Sequence, residues 1–97
     1  MAGPAVAPLA AEGYDWLRTN LGADVQISVG SGGTDVCSGL VQDNPLTPSR
    51  VGVIAGPCLG VDVHAWDDDG HDVLGAPGEL VVTRPMPSMP IGLWNDP

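Results

Sequence analysis

Residues 29–35 read Val-Gly-Ser-Gly-Gly-Thr-Asp, placing three glycines within four positions ahead of a hydroxyl and a carboxylate. Such a stretch constrains the fold more than any other in the chain. Glycine removes the β-carbons that hold a neighbour or a ligand away from the backbone, and it admits the positive φ angles of a tight loop. Thr34 and Asp35 add a hydrogen-bonding group and a hard oxygen ligand. The same spacing also describes an ordinary connector between two strands, and the glycines alone do not separate the two readings.

With 97 residues the chain has the length of one small domain, in which only about 60 to 65% of the unfolded surface can be buried. Its formal charge of −9 comes from twelve acidic residues against three arginines and no lysine. Phosphate backbones and anionic lipid surfaces are bound mainly by Lys and Arg, so nucleic acid and membrane are excluded as expected partners. A self-contained P-loop or a Schiff base is excluded as well, since each needs a lysine. Cys37 and Cys58 form no C-x-x-C pair and read as reduced thiols in a cytoplasmic protein. No secretory signal or membrane-length apolar run occurs in the sequence.

Ala2 to Ala11 is rich in alanine and proline and is expected to order only where something packs on it. Tyr14, Leu17 and Leu21 then fall on one face at helical spacing, with Arg18 on the solvent side and Gly22 as the stop. Val25, Ile27 and Val29 alternate with Gln26 and Ser28, the period of a half-buried strand that delivers the chain into the glycine turn. A strand resumes at Gly39–Val41, followed by loops at 42–45 and 47–49 around Pro45 and Pro48. Val51 and Val53 read as a strand broken at Gly56-Pro57. Residues 61–66 read as one arm of a hairpin tipped by Asp67-Asp68-Asp69-Gly70, and Val73-Leu74 as the start of its return. Glu79–Thr83 reads as a strand, and Pro85, Pro87 and Pro90 make the tail irregular. With no phenylalanine, the expected core is Val, Leu, Ile and Trp.

Several sites fail on spacing. An EF-hand would need an oxygen ligand where Ala65 stands, so the acidic turn reads as a solvated hairpin tip. A G-x-S-x-G elbow around Ser31 would need glycine at Val29, and a dinucleotide fingerprint would need it at Asp35. His64 and His71 read as surface residues rather than a metal pair, and Trp16, Trp66 and Trp94 as core or rim packing without the basic residues of a stacking platform.

Taken together, the motifs resemble a known family. Ser31-Gly32-Gly33-Thr34-Asp35 resembles the Tyr-Gly-x-Thr-Glu motif of AMP-forming acyl- and aryl-CoA ligases, adenylation domains and luciferases, and more closely the Ser-Gly-Gly-Thr-Asp form of acetoacetate-CoA ligases. Gly52, Gly56-Pro57 and Gly60 are similar to the Gly-rich segment ahead of that family's β-subdomain, Trp66-Asp67 with Gly70 to its hairpin, and Gly78-Glu79-Leu80 to its Gly-Glu-Leu strand. Pro87-Ser88-Met89-Pro90 with Gly92 and Trp94-Asn95-Asp96 is similar to the acetoacetate branch. The likeness runs from about Tyr14 to Pro97; upstream, Val6 stands where the family's Gly-x-Pro-Leu segment has its glycine, and Ser31 replaces the wider family's aromatic residue.

This resemblance implies an α+β fold: a helix and a strand leading to a nucleotide loop, then a small antiparallel β-meander. Residues 1–12 would be a divergent leader and 13–97 part of an AMP-binding domain. The implied reaction joins acetoacetate, a short keto acid, to ATP and then to coenzyme A. By the same resemblance, Ser31, Gly32, Gly33 and Thr34 would line the nucleotide, Thr34 would bond the α-phosphate, and Asp35 would hold Mg2+. The family's phosphate-gripping loop would precede residue 1, and its ribose-binding aspartate and late lysine would follow Pro97. Removing a single transition-state donor can slow a reaction on the order of 100-fold, so the chain is expected to be inert alone, marginally stable, and prone to associate with itself or with missing ligase parts. The rival is a small acidic β-rich protein-interaction module without catalysis.

Overall fold

The helical periodicity of Tyr14, Leu17 and Leu21 is realised as α1, Ala11–Leu21, in the computed structural model, which describes residues 8–96. Most of the Ala/Pro-rich leader (1–7) and Pro97 lie outside the described residues. Helix α1 runs across residue 12, where the leader is expected to end. It stops at Gly22, whose φ of 103° suits glycine and whose N–H bonds the Arg18 carbonyl at 3.1 Å. Tyr14 is the residue α1 buries, packed with Ile27 and Val29, while Leu9 and Leu17 close the edge of this cluster. Leu21, expected on the same face, is exposed; Leu9, before the helix, takes the place at its inward edge.

Five short strands follow: β1 Gly30–Gly33, β2 Ser38–Gln42, β3 Gly56–Pro57, β4 Val63–Trp66 and β5 Glu79–Val82. They form two antiparallel sheets, ordered β1-β2-β3 and β4-β5. The expected strand over Val25–Val29 is absent, and the glycines expected in the turn are themselves β1. In place of a ladder, the 25–29 segment is joined to residues 43–49 by a backbone bond from the Asp43 N–H to the Val29 carbonyl at 3.0 Å and by several bonds through side chains. Asp43 accepts the Val29 N–H at 3.2 Å, Ser49 donates to the Ile27 carbonyl at 2.7 Å, and Gln26 donates to the Asn44 carbonyl at 2.8 Å. Asp43 is buried, and its second carboxylate oxygen takes the Ala55 N–H at 2.8 Å, so one side chain joins the lead into β1 to the lead into β3.

The turn lies at Thr34–Cys37, closed by a 3.1 Å bond from the Cys37 N–H to the Thr34 carbonyl. Gly30, Gly32 and Gly33 do not use positive φ. Gly32 is needed for close approach instead: a Cβ there would collide with the Ser38 carbonyl oxygen and sit 2.8 Å from the Gly39 Cα. The register shifts between Ser31 and Gly32, which re-aims the end of the strand toward the turn.

Val51 and Val53 are exposed around a turn, not in a strand, and β3 falls at Gly56-Pro57 where a break is expected. Proline is tolerated there because β3 is a sheet edge. Residues 61–73 do fold back as a hairpin. Trp66 bridges Asp72 and the Val73 N–H bonds the Ala65 carbonyl at 2.9 Å, but Leu74 has already left the ladder.

Among the described residues, Tyr14, Ile27, Val29 and Met86 are the buried apolar ones, whereas Trp16 and Trp94 are exposed, contrary to the expected Val/Leu/Ile/Trp core. The radius of gyration is 15.8 Å, against about 12–13 Å for a compact domain of this length. No helix among the described residues is long and apolar enough to cross a membrane.

Overpacking of this kind is destabilising by about 1–3 kcal/mol. Gly32→Ala is therefore expected to speed hydrogen exchange of the Ser38–Gln42 amides about tenfold or more, and Gly56→Ala, whose Cβ meets nothing within 4 Å, to leave it unchanged.

Candidate functional site

Because β1 is an edge strand made of Gly-Ser-Gly-Gly, its outer side offers peptide groups with almost no side chain in front of them. Every residue of β1 is exposed. An open groove of about 400 Å³ runs along it, lined by residues 28–34 and, across the hairpin, by Gly39, Val41 and Gln42. Its volume falls within the range of small-molecule sites, about 300–1,000 Å³. Ser31, Gly32, Gly33 and Thr34, the four residues expected at a nucleotide, thus lie together on one wall of one groove.

Thr34 and Asp35 sit side by side at the start of the exposed turn. Among the described residues, no side-chain hydrogen bond engages either of them, so the hydroxyl and the carboxylate are both free to meet a ligand. Asp35 lies one residue beyond the groove lining. None of Arg18, Arg50 and Arg84 lines this groove. An anion here would be hydrogen-bonded by the Thr34 hydroxyl and backbone N–H groups, and its charge would be offset only by a cation brought in with it. Magnesium keeps several waters and takes one or two carboxylates together with substrate phosphates, and one exposed, unengaged aspartate fits that role.

The same backbone occurs in a solved enzyme. The acetoacetyl-CoA synthetase from Streptomyces lividans matches with a TM-score of 0.84 at 45% identity, over 99% of this chain and 15% of that one. The acetoacetyl-coenzyme A synthetase of Rhizobium meliloti is 48% identical over 91 residues, which is 94% of this chain and 14% of that protein. Over nearly its whole length, the chain matches one segment of the acetoacetyl-CoA synthetases. The Mus musculus acetoacetyl-CoA synthetase agrees, with 40% identity over 90 residues. The chain spans about 14% of the length of the curated relatives it matches. No protein-family model matches it.

Within this acetoacetyl-CoA synthetase segment, the motifs behind the resemblance take distinct structural roles. Gly52 belongs to the turn before β3, Gly56-Pro57 is β3 itself, and Gly78-Glu79-Leu80 leads into β5. The tail from Pro85 is irregular, as its prolines require.

A polar cluster on β4 is absent from the sequence-level site. His64 Nδ1 lies 2.9 Å from Asp72 Oδ1 and Nε2 lies 3.2 Å from Asp62 Oδ1. Only a protonated ring donates from both nitrogens. Trp66 Nε1 also donates to Asp72 Oδ1 at 3.0 Å, while Thr83 and Arg84 hold Asp62 Oδ2 at 2.8 and 3.1 Å. These bonds tie Asp62 and both strands of the β4-β5 sheet to the hairpin return. Alternation marks His64 only as solvent-facing; its partners are Asp62, two residues before it, and Asp72 on the hairpin return, and which acidic residues the fold-back brings to the ring is not read from spacing.

The Asp72 carboxylate, accepting a hydrogen bond from the ring, raises His64 above its ordinary value near 6.5, joined by Asp62 and opposed by desolvation. The Thr83 hydroxyl, assisted by His64 and Arg84, lowers Asp62 below its ordinary 3.8. The histidine's stabilisation is therefore complete below pH 6.5 and lost as pH rises through its raised value, while the aspartate's is complete above pH 3.8 and lost as pH falls through its lowered one. The sheet is expected to be best protected between those pH values. In an imidazole NMR titration, His64 is expected to titrate above 6.5, and Asp72→Asn to move its midpoint down.

Proposed function

We propose that the chain supplies one wall of an adenylate-forming site in an acetoacetate-CoA ligase. In the reaction, an acetoacetate carboxylate oxygen attacks the α-phosphorus of ATP and pyrophosphate leaves. The coenzyme A thiol then attacks the acyl carbonyl, AMP leaves, and acetoacetyl-CoA is formed. The carrying observation is that Ser31–Thr34 line one groove on an exposed glycine edge, within a segment 45% identical in sequence to the Streptomyces lividans enzyme.

In this reading the Gly32 and Gly33 backbone lies against the adenylate and the Thr34 hydroxyl donates to an α-phosphate oxygen, where negative charge gathers as the phosphorus becomes five-coordinate. Asp35 would hold Mg2+, whose contribution when bound is to offset that charge. Residues 13–97 are assigned to the AMP-binding domain, and the protein to the cytoplasm, where its two unpaired cysteines stay reduced. Nearly fully exposed Leu46, Leu59, Leu74, Ile91 and Trp94 are the surfaces on which further ligase polypeptide is expected to pack.

The test supplies in trans the two parts of the Streptomyces lividans protein that flank the matching segment, and follows pyrophosphate release with acetoacetate and Mg-ATP. The mixture is expected to be active and each part alone inactive. Thr34→Ala is expected to cut the rate on the order of 100-fold, and Asp35→Ala to raise the Mg2+ concentration needed for half-maximal rate. Rates unchanged in both variants would overturn the assignment.

A further inference from the structure

The groove is also lined by Ser28, a residue outside the glycine motif and six positions before Thr34. Ser28 is only 6% exposed, and its hydroxyl has no hydrogen-bond partner among the described residues. Ile27 and Val29 on either side enter the apolar cluster with Tyr14, whereas Ser28 does not belong to it. A hydroxyl buried without a partner is destabilising, and an alanine in its place would avoid that penalty. Its neighbours do not need it: the Val29 N–H is taken by Asp43 and the Ile27 carbonyl by Ser49.

Resting on the reading above, in which the phosphate end of the ligand lies at Thr34, we propose that Ser28 is a ligand-binding residue in the same groove, its hydroxyl completing a hydrogen bond with an uncharged polar group. The lining favours that chemistry. Ser28 is bordered by Val29 and Gly30, with Val41 across the hairpin, and no ionised side chain lines the groove to match a charged group. A serine hydroxyl offers one donor and two acceptor positions, so it can meet either the nitrogen edge of a nucleobase or the keto oxygen of an acyl group. Both are uncharged, and the experiment separates them.

The full chain, labelled with 15N, is titrated separately with AMP, adenosine and methyl acetoacetate while amide shifts are followed. AMP is expected to move the amides of residues 30–34 and of Ser28, and Ser28→Ala is expected to weaken its binding at least fivefold. A matching loss with adenosine assigns Ser28 to the base, and a matching loss with methyl acetoacetate assigns it to the acyl group. Hydrogen exchange of the Ser38–Gln42 amides in Ser28→Ala is expected to be unchanged or slower, a result that a purely structural hydroxyl would not give. If AMP moves residues 30–34 but binds Ser28→Ala as well as the parent chain, the inference is overturned and the groove assignment stands. If AMP moves none of residues 28–34, both are overturned.

Discussion

Everything at the candidate site depends on how closely two stretches of backbone approach at Gly32. Antiparallel pairing brings β1 against β2, and at this position the Ser38 carbonyl and the Gly39 Cα occupy the space a side chain would need. Glycine is therefore a packing requirement before it is a ligand requirement. The same absence of side chains leaves the outer edge of β1 as bare peptide, and the groove follows from that. Structural and functional explanations of a glycine-rich stretch are often set against each other, but one backbone geometry meets the packing requirement and would serve the proposed ligand contact as well.

Holding that edge in place falls to groups behind it. Asp43 is buried with both carboxylate oxygens accepting backbone N–H groups, from Val29 before β1 and from Ala55 before β3. Hydrogen bonds to a charged acceptor are stronger than neutral ones, and losing the carboxylate would leave two donors without their partner. The small Tyr14, Ile27 and Val29 cluster supports the segment from the helix side. The β4-β5 sheet is tied by a separate network through His64 and Asp62, so its response to pH is set by other groups.

Much of this was legible in the residues, though unevenly. Helix α1 and its glycine stop, the hairpin tip at 67–70 and the strand at Glu79 follow from local pattern, and local pattern suffices where an element is determined by its own periodicity. The family was legible from motifs whose order is preserved, and the relatives bear it out. Alternation misled at Val25–Val29 because the bonds of that segment to residues 43–49 mix side-chain and backbone groups and build no ladder, and Ser28 is buried rather than solvated. It misled at Val51 and Val53 because valines on a turn carry the same spacing as valines on a strand. Trp16 and Trp94 were misjudged because burial depends on what lies opposite, and this chain spans a small part of its relatives' length. Asp43 carries no local signal, since it acts across a dozen or more residues of sequence, and the pairing of His64 with Asp72 depends on the hairpin bringing the two together.

The most direct test of the account is a two-dimensional nuclear Overhauser measurement on the full chain in dilute solution. The close β1-β2 pairing predicts a strong cross-peak between the α protons of Gly32 and Gly39, together with extended-chain shifts over Ser38–Gln42. Absence of that cross-peak, with random-coil shifts through residues 30–42, would contradict the claim that this segment builds the wall of the groove by itself.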